Sequence, residues 1–194
     1  VAMLFVVCLV PACFGQGVTK VYHKIWGGAL FDTFLASKVD SSGNVYVLGI
    51  ATPSANNSIN RVFKYGPTGN VIWSKDIPES GGSANASLDL VGSVLIANAP
   101  RQGGTRVIRF DTTNGNTVWT ADVAASAVNG VASAISGGAY AMITAVNQGR
   151  KLLALSTSNG AQLFDVQVQA TLELAPFLTA HPNGGFMTLV SDIG

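Results

Sequence analysis

The chain is poor in charged residues. Lys, Arg, Asp and Glu make up 11% of its 194 residues, whereas roughly 25% is usual in soluble domains. Eleven basic residues against ten acidic ones leave a net charge of +1. A protein with so little net charge has no broad electrostatic field that would attract nucleic acid or an anionic membrane surface. We therefore expect no nucleic acid among its partners.

Cysteine and histidine are scarce as well. The two cysteines, Cys8 and Cys13, lie close to the N-terminus, and the two histidines, His23 and His181, are far apart in the sequence. Neither histidine has an acidic or cysteine neighbour at the spacing of metal ligands, and a metal site needs several convergent ligands. The sequence therefore predicts no metal site and no bound cofactor.

Motifs for nucleophilic catalysis and for calcium binding are missing too. No serine, Ser74, Ser87 and Ser136 included, lies in a Gly-x-Ser-x-Gly motif. The segment from Asp40 to Asn44 lacks the alternating carboxylates and the distal Glu of a calcium loop. An Asp at such a turn commonly caps its own backbone, and the same holds for Asp111. We expect no catalytic residues and predict that the protein is not an enzyme.

Apolar residues dominate the beginning of the chain. Residues 1–10 are apolar throughout, and Pro11, small residues and Gly15 follow before the polar Gln16. This order is typical of a secretory signal peptide, and the apolar run is shorter than the about 20 residues that a spanning helix needs. The sequence predicts a signal peptide over 1–15, no stable membrane span, and a protein that is secreted, periplasmic or at the cell surface. A buried first strand or helix is the alternative.

Aromatic residues recur at a nearly constant interval. Trp73, Trp119 and Phe164 occupy similar sequence contexts, and the steps between them are 46 and 45 residues. Trp26 lies 47 residues before Trp73 and extends the series. A period of about 40 to 50 residues is typical of β-propeller blades. The strict spacing favours packing between sheets over a role as sugar-binding platforms.

A second marker has nearly the same period. It has the form Gly-x-apolar-x-apolar and begins at Gly43, Gly92, Gly137 and Gly184, in steps of 49, 45 and 47 residues. Between the markers the sequence contains short segments rich in β-branched and aromatic residues, such as Val45–Leu48, separated by hairpin turns that include Asn-Gly. No segment after residue 16 has a sustained helical period.

These observations predict an all-β fold, an incomplete β-propeller of four-stranded antiparallel blades with about three to four blades in this chain. The partial propeller is expected over 16–194, with one blade strand at 18–26, fuller blades at about 35–77, 84–123 and 130–168, and the start of another blade at 175–194. A single blade cannot bury both of its faces, so the blades must stack around an axis.

The first unit resembles a known propeller repeat. Trp26-Gly27-Gly28 with Asp32, and the run from Val39 to Gly49 with Thr52, resemble the bacterial seven-bladed propeller repeat, abbreviated SBBP. This resemblance extends over about residues 24–77. It implies a closed ring with more blades than this chain holds.

The later units resemble a second repeat. The segments Val107–Trp119 and Leu153–Phe164 are similar to the repeat of pyrroloquinoline-quinone-type, or quinoprotein-like, propellers, in which a turn ending in Gly leads into a strand with a Trp. In the second segment Phe164 replaces the Trp and Ser156 replaces the Asp. The resemblance implies that the aromatic ring packs between blades.

Two alternative functions follow from these resemblances. The chain could be a fragment of a pyrroloquinoline-quinone-dependent oxidoreductase, although the calcium site and Asp base of such enzymes cannot be placed in it. Alternatively, Cys13 after Val10-Pro11-Ala12 loosely resembles the lipobox of a bacterial lipoprotein. That resemblance implies an envelope-assembly lipoprotein similar to the propeller that helps to insert outer-membrane barrels.

The preferred interpretation is a non-catalytic exported propeller that acts as a structural module or binds a protein or glycan. Loops carry function on rigid scaffolds, and three loops that vary in length between units are Ala51–Asn60, Pro78–Asn85 and Pro100–Thr105. Several basic residues would recognise an acidic partner or a glycan if they shared one rim, and would otherwise be solvated strand ends: Arg101, Arg106, Arg109, Arg150 and Lys151.

Overall fold

The computed structural model describes residues 32–124, 133–146, 149–169 and 177–189. These residues form fourteen β-strands and no helix. The predicted signal peptide at 1–15 and the predicted strand at 18–26 lie outside the described residues, as do His23 and Trp26. The described part of the chain confirms the predicted all-β fold.

The strands form four antiparallel sheets, three with four strands and one with two. The first sheet comprises β1 (Thr33–Val39), β2 (Val45–Ser54), β3 (Asn57–Tyr65) and β4 (Val71–Asp76). The second comprises β5 (Ser87–Val91), β6 (Val94–Arg101), β7 (Gly104–Asp111) and β8 (Thr117–Val123). The third comprises β9 (Ser133–Ser136), β10 (Ala139–Val146), β11 (Gly149–Ser156) and β12 (Gln162–Gln169). The fourth comprises β13 (Phe177–Ala180) and β14 (Phe186–Leu189).

The sheets are arranged as blades around an axis. Within each sheet consecutive strands are neighbours, so each sheet is a meander of hairpins. The first strands of successive sheets contact each other, β1 with β5, β5 with β9, and β9 with β13. The first strands therefore lie innermost, and the fourth strands β4, β8 and β12 form the outer edges. This is the arrangement of an incomplete propeller.

Glycines at the ends of the β7–β8 and β11–β12 turns fix two of the hairpins. Gly115 has a φ of 72° and Gly160 a φ of 75°, a left-handed conformation that Gly adopts without steric cost. The N–H of Gly115 donates to the carbonyl of Asp111 at 2.8 Å, and that of Gly160 donates to the carbonyl of Ser156 at 2.9 Å. The Asn-Gly sequences thus form the hairpin turns that they predict.

Neighbouring sheets bury each other's apolar faces. The first and second sheets share a buried cluster that includes Tyr46, Leu48, Val62, Trp73, Ile77, Leu95, Ile108 and Phe110. The second and third sheets share another that includes Ile96, Val107, Trp119, Ile135, Tyr140, Met142, Leu153 and Leu155. The third and fourth sheets share a smaller one of Ala134, Ala141, Ile143, Ala154 and Leu178. Because the core lies between sheets, the stability of each blade depends on its neighbours.

A repeated polar contact joins each of the first two sheets to the next one. The indole N–H of Trp73 donates to the carbonyl oxygen of Thr112 at 3.3 Å, and the ammonium of Lys64 donates to the same oxygen at 2.7 Å. One repeat later the carbonyl oxygen of Thr157 accepts the equivalent pair of hydrogen bonds. The indole N–H of Trp119 donates to it at 2.9 Å and the guanidinium of Arg109 at 2.8 Å. We call this pair of donors on one turn carbonyl the blade lock.

Each tryptophan ring of the blade lock also lies against a glycine of the same turn. A Cβ atom added at Gly115 would lie 2.7 Å from the Trp73 ring, and one added at Gly160 would lie 2.7 Å from the Trp119 ring. Such distances are too short for any side chain. The periodic Trp and the periodic Gly are therefore two halves of one interface.

The third sheet lacks both donors of the blade lock. Ala154 stands where Lys64 and Arg109 stand in the first two sheets, and it is paired across the strands with Phe164. The side chain of Phe164 has no N–H to donate, and the residue is 41% exposed, against 8% for Trp119. No turn among the described residues covers it. The expectation that Phe164 packs between sheets like the tryptophans is therefore not met in the described part of the chain.

Replacing Gly115 with Ala should destabilise the protein more than replacing Gly92 with Ala. Both residues have positive φ, 72° and 58°, where an L-residue costs about 1 to 2 kcal/mol. Only the Gly115 Cβ would meet a ring, because nothing lies within 4 Å at Gly92; overpacking there should cost a further about 1 to 3 kcal/mol. Urea denaturation measures both losses in free energy of unfolding, and equal losses would contradict the packing of Gly115 on Trp73.

Candidate functional site

The three loops of variable length lie at one end of the sheets. In a meander, the hairpin between the second and third strands lies at the end where the fourth strand also finishes. The segments Ala51–Asn60, Pro78–Asn85 and Pro100–Thr105 therefore share this end, which we call the loop face. The opposite end carries the turns between third and fourth strands, where the blade lock forms.

Asn60 anchors the connection between the first two sheets. Its Nδ2 donates to the carbonyl of Ser83 at 2.8 Å, and its Oδ1 accepts from the N–H of Ser83 at 2.9 Å. Its backbone N–H donates to the hydroxyl of Ser80 at 2.8 Å. Asn60 is fully buried, and these hydrogen bonds, which are partly or fully shielded from water, hold the loop in one conformation.

Four charged side chains join this connection to the second sheet. Arg101 contacts Glu79 at 3.1 Å and Asp122 at 2.6 Å. Arg106 contacts Asp122 through two hydrogen bonds of 2.8 and 2.9 Å, and it lies 3.6 Å from Glu79. We call these four residues the ion-pair cluster. Among the described residues Glu79 is the one non-glycine with positive φ, 62°, and its two arginine partners help to hold it there.

The basic residues of the second and third units do not form one free rim. Arg101 and Arg106 belong to the ion-pair cluster, while Arg109 points to the opposite end and takes part in the blade lock. Lys151 pairs with Asp165 at 3.0 Å. Nothing is described of the Arg150 side chain. Those basic residues whose side chains are described are therefore paired within the fold rather than gathered for an acidic partner.

A second polar group lies on the innermost strands. Asp89 on β5 accepts a hydrogen bond from the hydroxyl of Ser133 on β9 and forms an ion pair of 3.2 Å with Lys38 on β1. The hydroxyls of Ser133 and Ser87 are 2.7 Å apart. We call Lys38, Ser87, Asp89 and Ser133 the axial polar cluster. It connects the first strands of three sheets near the axis.

Buried hydrogen bonds extend the axial polar cluster into the third sheet. The Nδ2 of Asn98 donates to the Ser87 hydroxyl at 2.6 Å and also contacts the Tyr140 hydroxyl. Burial, and then the charge of Asp89, raise the pKa of Tyr140 to about 12. The phenol is therefore neutral at physiological pH, and the arrangement connects blades rather than presenting an activated nucleophile.

The two turn carboxylates cap their own backbones. Asp40 accepts hydrogen bonds from the N–H groups of Ser42 and Asn44 at 3.0 and 2.9 Å, and from the side chains of Asn44 and Tyr46. Burial alone would raise the pKa of Asp40, but these hydrogen bonds together lower it below its ordinary value. Asp111 accepts from two N–H groups of its turn in the same way. Both oxygens of Asp40 and the Oδ1 of Asp111 are thus engaged within turns.

The remaining candidates show no catalytic geometry. His181 accepts a hydrogen bond from the N–H of Asn183 at 3.2 Å in the turn between β13 and β14. Ser87 belongs to the axial polar cluster, and Ser74 is exposed on the outer strand β4. Within the described residues no three His, Cys, Asp or Glu side chains are placed to hold a metal ion. The same residues include no helix that is long and apolar enough to cross a membrane.

Comparison with known proteins assigns this repeat architecture to a family. The family model described as outer membrane protein assembly factor BamB matches residues 27–178 of the 194. The chain belongs to the BamB family. The match confirms the resemblance to pyrroloquinoline-quinone-type propellers, whereas the resemblance to the SBBP-type repeat stays a prediction. No curated protein matches the chain.

Solved structures resemble the chain in fold alone. BamB from Moraxella catarrhalis is 22% identical with a TM-score of 0.42, over 72% of this chain and 39% of that one. A subtype N10 neuraminidase-like protein of A/little yellow-shouldered bat/Guatemala/060/2010 is 10% identical with a TM-score of 0.51, over 90% of this chain and 68% of that one. A neuraminidase-like protein from A/bat/Guatemala/164/2009 is 11% identical with a TM-score of 0.50, over 85% of this chain and 54% of that one. The chain thus spans well under half of the length of the solved BamB.

Sequence reasoning did not identify the axial polar cluster or the anchoring role of Asn60. Lys38, Asp89 and Ser133 come from three different sheets and share no local motif. One signal was available: Ser87 and Ser133 are 46 residues apart, one repeat period, and their hydroxyls meet between the neighbouring strands β5 and β9. An alignment of polar residues at the blade period would have indicated that Ser87 and Ser133 of this BamB-family chain lie close together.

Replacing Asp122 with Asn should remove part of the pH dependence of stability. Hydrogen bonds from Arg106 lower the pKa of Asp122 from 3.8 to about 2, so its ionised form stabilises the fold above about pH 4 and this stabilisation is lost as the pH falls towards 2. The carboxylate is 48% exposed, so solvent screening should keep the effect below about 1 kcal/mol.

Thermal unfolding of the wild type and the Asp122→Asn variant across this pH range measures the effect. The two midpoints should differ at neutral pH and converge near pH 2. A difference that is independent of pH would contradict a stabilising role for the ionised carboxylate.

Proposed function

We propose that the protein is an exported, non-catalytic propeller that binds other proteins and takes part in the assembly of outer membrane proteins. The observation that carries this proposal is the match of residues 27–178 to the family of the outer membrane protein assembly factor BamB. Export rests on the signal-like residues 1–15, with cleavage near Gly15 and a periplasmic or cell-surface location. Lipid attachment at Cys13 is the alternative mode of retention in the envelope.

The loop face supports a binding role because it is preformed. The connection at Pro78–Asn85 is held by Asn60, and Glu79 is held by Arg101 and Arg106. A surface that is ordered before binding loses less conformational entropy when a partner docks. The exposed tips of two hairpins, at Asn56 and Gln102, project from this ordered base.

The chemistry of the loop face favours a polar, weakly charged partner. Its exposed residues are mainly Pro, Ser, Ala, Asn, Gln and Gly, and its charged side chains are paired with one another in the ion-pair cluster. A surface without free charge has no electrostatic selectivity for strongly acidic or basic proteins. An outer membrane protein before its assembly, with polar residues alternating along its strands, fits this surface.

The hydrogen bonds and ion pairs of the carboxylates agree with a non-catalytic role. A quinoprotein-type enzyme would need free oxygen ligands for calcium and an Asp base, whereas Asp40 and Asp111 are engaged in their own turns. Asp89 is engaged in the axial polar cluster by Lys38 and Ser133. These interactions favour protein binding over oxidoreductase activity.

Adding pyrroloquinoline quinone and Ca²⁺ to the purified chain should leave the absorbance spectrum of the quinone unchanged. The reason is that Asp40 and Asp111, the carboxylates at turns, accept backbone hydrogen bonds that a cation would have to displace. A spectrophotometric titration measures this, with Ca²⁺ alone as the control. A saturable spectral change would overturn the non-catalytic assignment.

Changing two hairpin tips of the loop face should weaken binding of an unfolded outer membrane protein. The measurement is surface plasmon resonance with the chain immobilised and a urea-unfolded β-barrel outer membrane protein passed over it after dilution. The double variant Asn56→Arg with Gln102→Arg should lower affinity at least about tenfold, because two bulky charges enter an uncharged contact surface. Both positions are exposed and have negative φ, so the fold should persist.

The matched control is Ser93→Arg with Thr113→Arg, which places the same two charges on exposed hairpin tips at the opposite end. This variant should bind like the wild type. Equal loss in both variants, or no saturable binding by the wild type, would overturn the proposed surface.

A further inference from the structure

A groove of about 340 Å³ opens between the second and third sheets. Its lining combines Ala121 and Val123 of β8 with Leu153 and Leu155 of β11, and polar residues such as Gln162 complete it. The volume is within the about 300 to 1,000 Å³ that is usual for ligand sites. None of the loops proposed above as the binding surface lines this groove.

The groove exists because the blade repeat changes at this junction. The residues two and four positions after the tryptophan face the next sheet. They are Lys75 and Ile77 in the first unit, and Ala121 and Val123 in the second. Ile77 is fully buried, and the end of Lys75 lies beside the next turn, 3.1 Å from a Cβ built at Gly115. Smaller side chains leave this space open in the second unit.

The opposite wall of the groove also carries a smaller side chain than the corresponding wall of the first junction. Phe110 of the second sheet packs against Trp73, with ring centroids 6.3 Å apart. One period later Leu155 stands at that position and lines the groove. Three aligned positions therefore carry smaller side chains at this junction than at the first one. The blade lock of Trp119 still closes the groove at the end of the sheets where the turns between third and fourth strands lie.

The edge strand beside the groove offers backbone groups as well. β8 is the outermost strand of its sheet and pairs with β7 on one side, and no strand of the described chain pairs with its outer edge. An extended polypeptide can add to such an edge by main-chain hydrogen bonds and place alternate side chains into neighbouring pockets. A small apolar molecule in the groove would make no use of these backbone groups.

The fixed charges around the groove balance each other. Lys151 pairs with Asp165, and Asp122 is held by Arg101 and Arg106. The walls between them are apolar, at Leu153, Leu155 and Val123. The groove therefore combines a few apolar side chains with polar residues whose charges are paired, which favours an uncharged segment that carries one branched apolar side chain.

We propose that this groove binds an extended segment of a partner polypeptide, which pairs with the outer edge of β8 and inserts one leucine-sized side chain between the second and third sheets. The proposal rests on the proposed protein-binding function and adds a second, independent contact surface to it. It names the chemistry of the recognised segment: uncharged residues in strand conformation around a single apolar anchor.

A fluorescein-labelled peptide of threonines with one central leucine tests the proposal by fluorescence anisotropy with the full 194-residue chain. The variant Val123→Ile with Leu155→Phe introduces the side chains that fill the junction between the first two sheets. We expect this variant to remain folded by circular dichroism and to bind the peptide at least about tenfold more weakly. The same peptide with alanine in place of leucine should bind the wild type more weakly to a similar extent.

The control variant is Val91→Ile, which adds the same methylene to an exposed residue of β5, away from β8 and the groove, and should leave peptide affinity unchanged. Equal binding of the leucine and alanine peptides, or undiminished binding by the filled variant, would overturn the groove assignment. If the unfolded outer membrane protein binds but the leucine peptide does not, the groove proposal fails and the proposed function stands. If the peptide binds and the outer membrane protein does not, the proposed function fails and the groove proposal stands.

Discussion

A single turn carbonyl connects the second sheet to the first and another connects the third sheet to the second, and the register of these three sheets depends on this connection. The oxygens of Thr112 and Thr157 each accept an indole N–H and a cationic N–H from the preceding sheet. Hydrogen bonds to charged groups contribute about 1.5 to 3 kcal/mol each when they are shielded from water. Because the tryptophan ring also lies on the turn glycine, the contact fixes both the distance and the orientation of neighbouring sheets. The apolar clusters between the sheets then form in a defined register.

The blade lock and the loop face lie at opposite ends of the sheets. The blade lock lies at the end of the third-to-fourth-strand turns, while the axial polar cluster connects the first strands near the centre. The loop face lies at the other end, where the connections differ in length from unit to unit. The groove beside β8 arises in the same way, where side chains that the lock does not need become smaller. Candidate binding sites in this chain thus occur where the repeat varies.

The sequence predicts the parts of the fold that repeat and misses those that occur once. The Trp and Gly periods indicate the blades because both residues serve the same interface in each unit, and the Asn-Gly turns follow from backbone preference. Among the described residues Phe164 is exposed, contrary to the prediction, because equivalence in sequence does not by itself supply the turn against which a ring must pack. The ion pair between Lys38 and Asp89 joins strands about fifty residues apart, and no local pattern specifies such a partner. The groove could be located only by comparing two junctions in three dimensions.

Hydrogen exchange of the indole N–H groups, followed by NMR, measures directly whether the blade lock forms. Resonances can be assigned with Trp73→Phe and Trp119→Phe variants, since the chain has three tryptophans. We expect the indole N–H groups of Trp73 and Trp119 both to be strongly protected, because each donates to a turn carbonyl from a residue that is 8% exposed. Exchange of either group at the rate of a freely exposed indole would contradict the blade lock and the stacking of blades that depends on it.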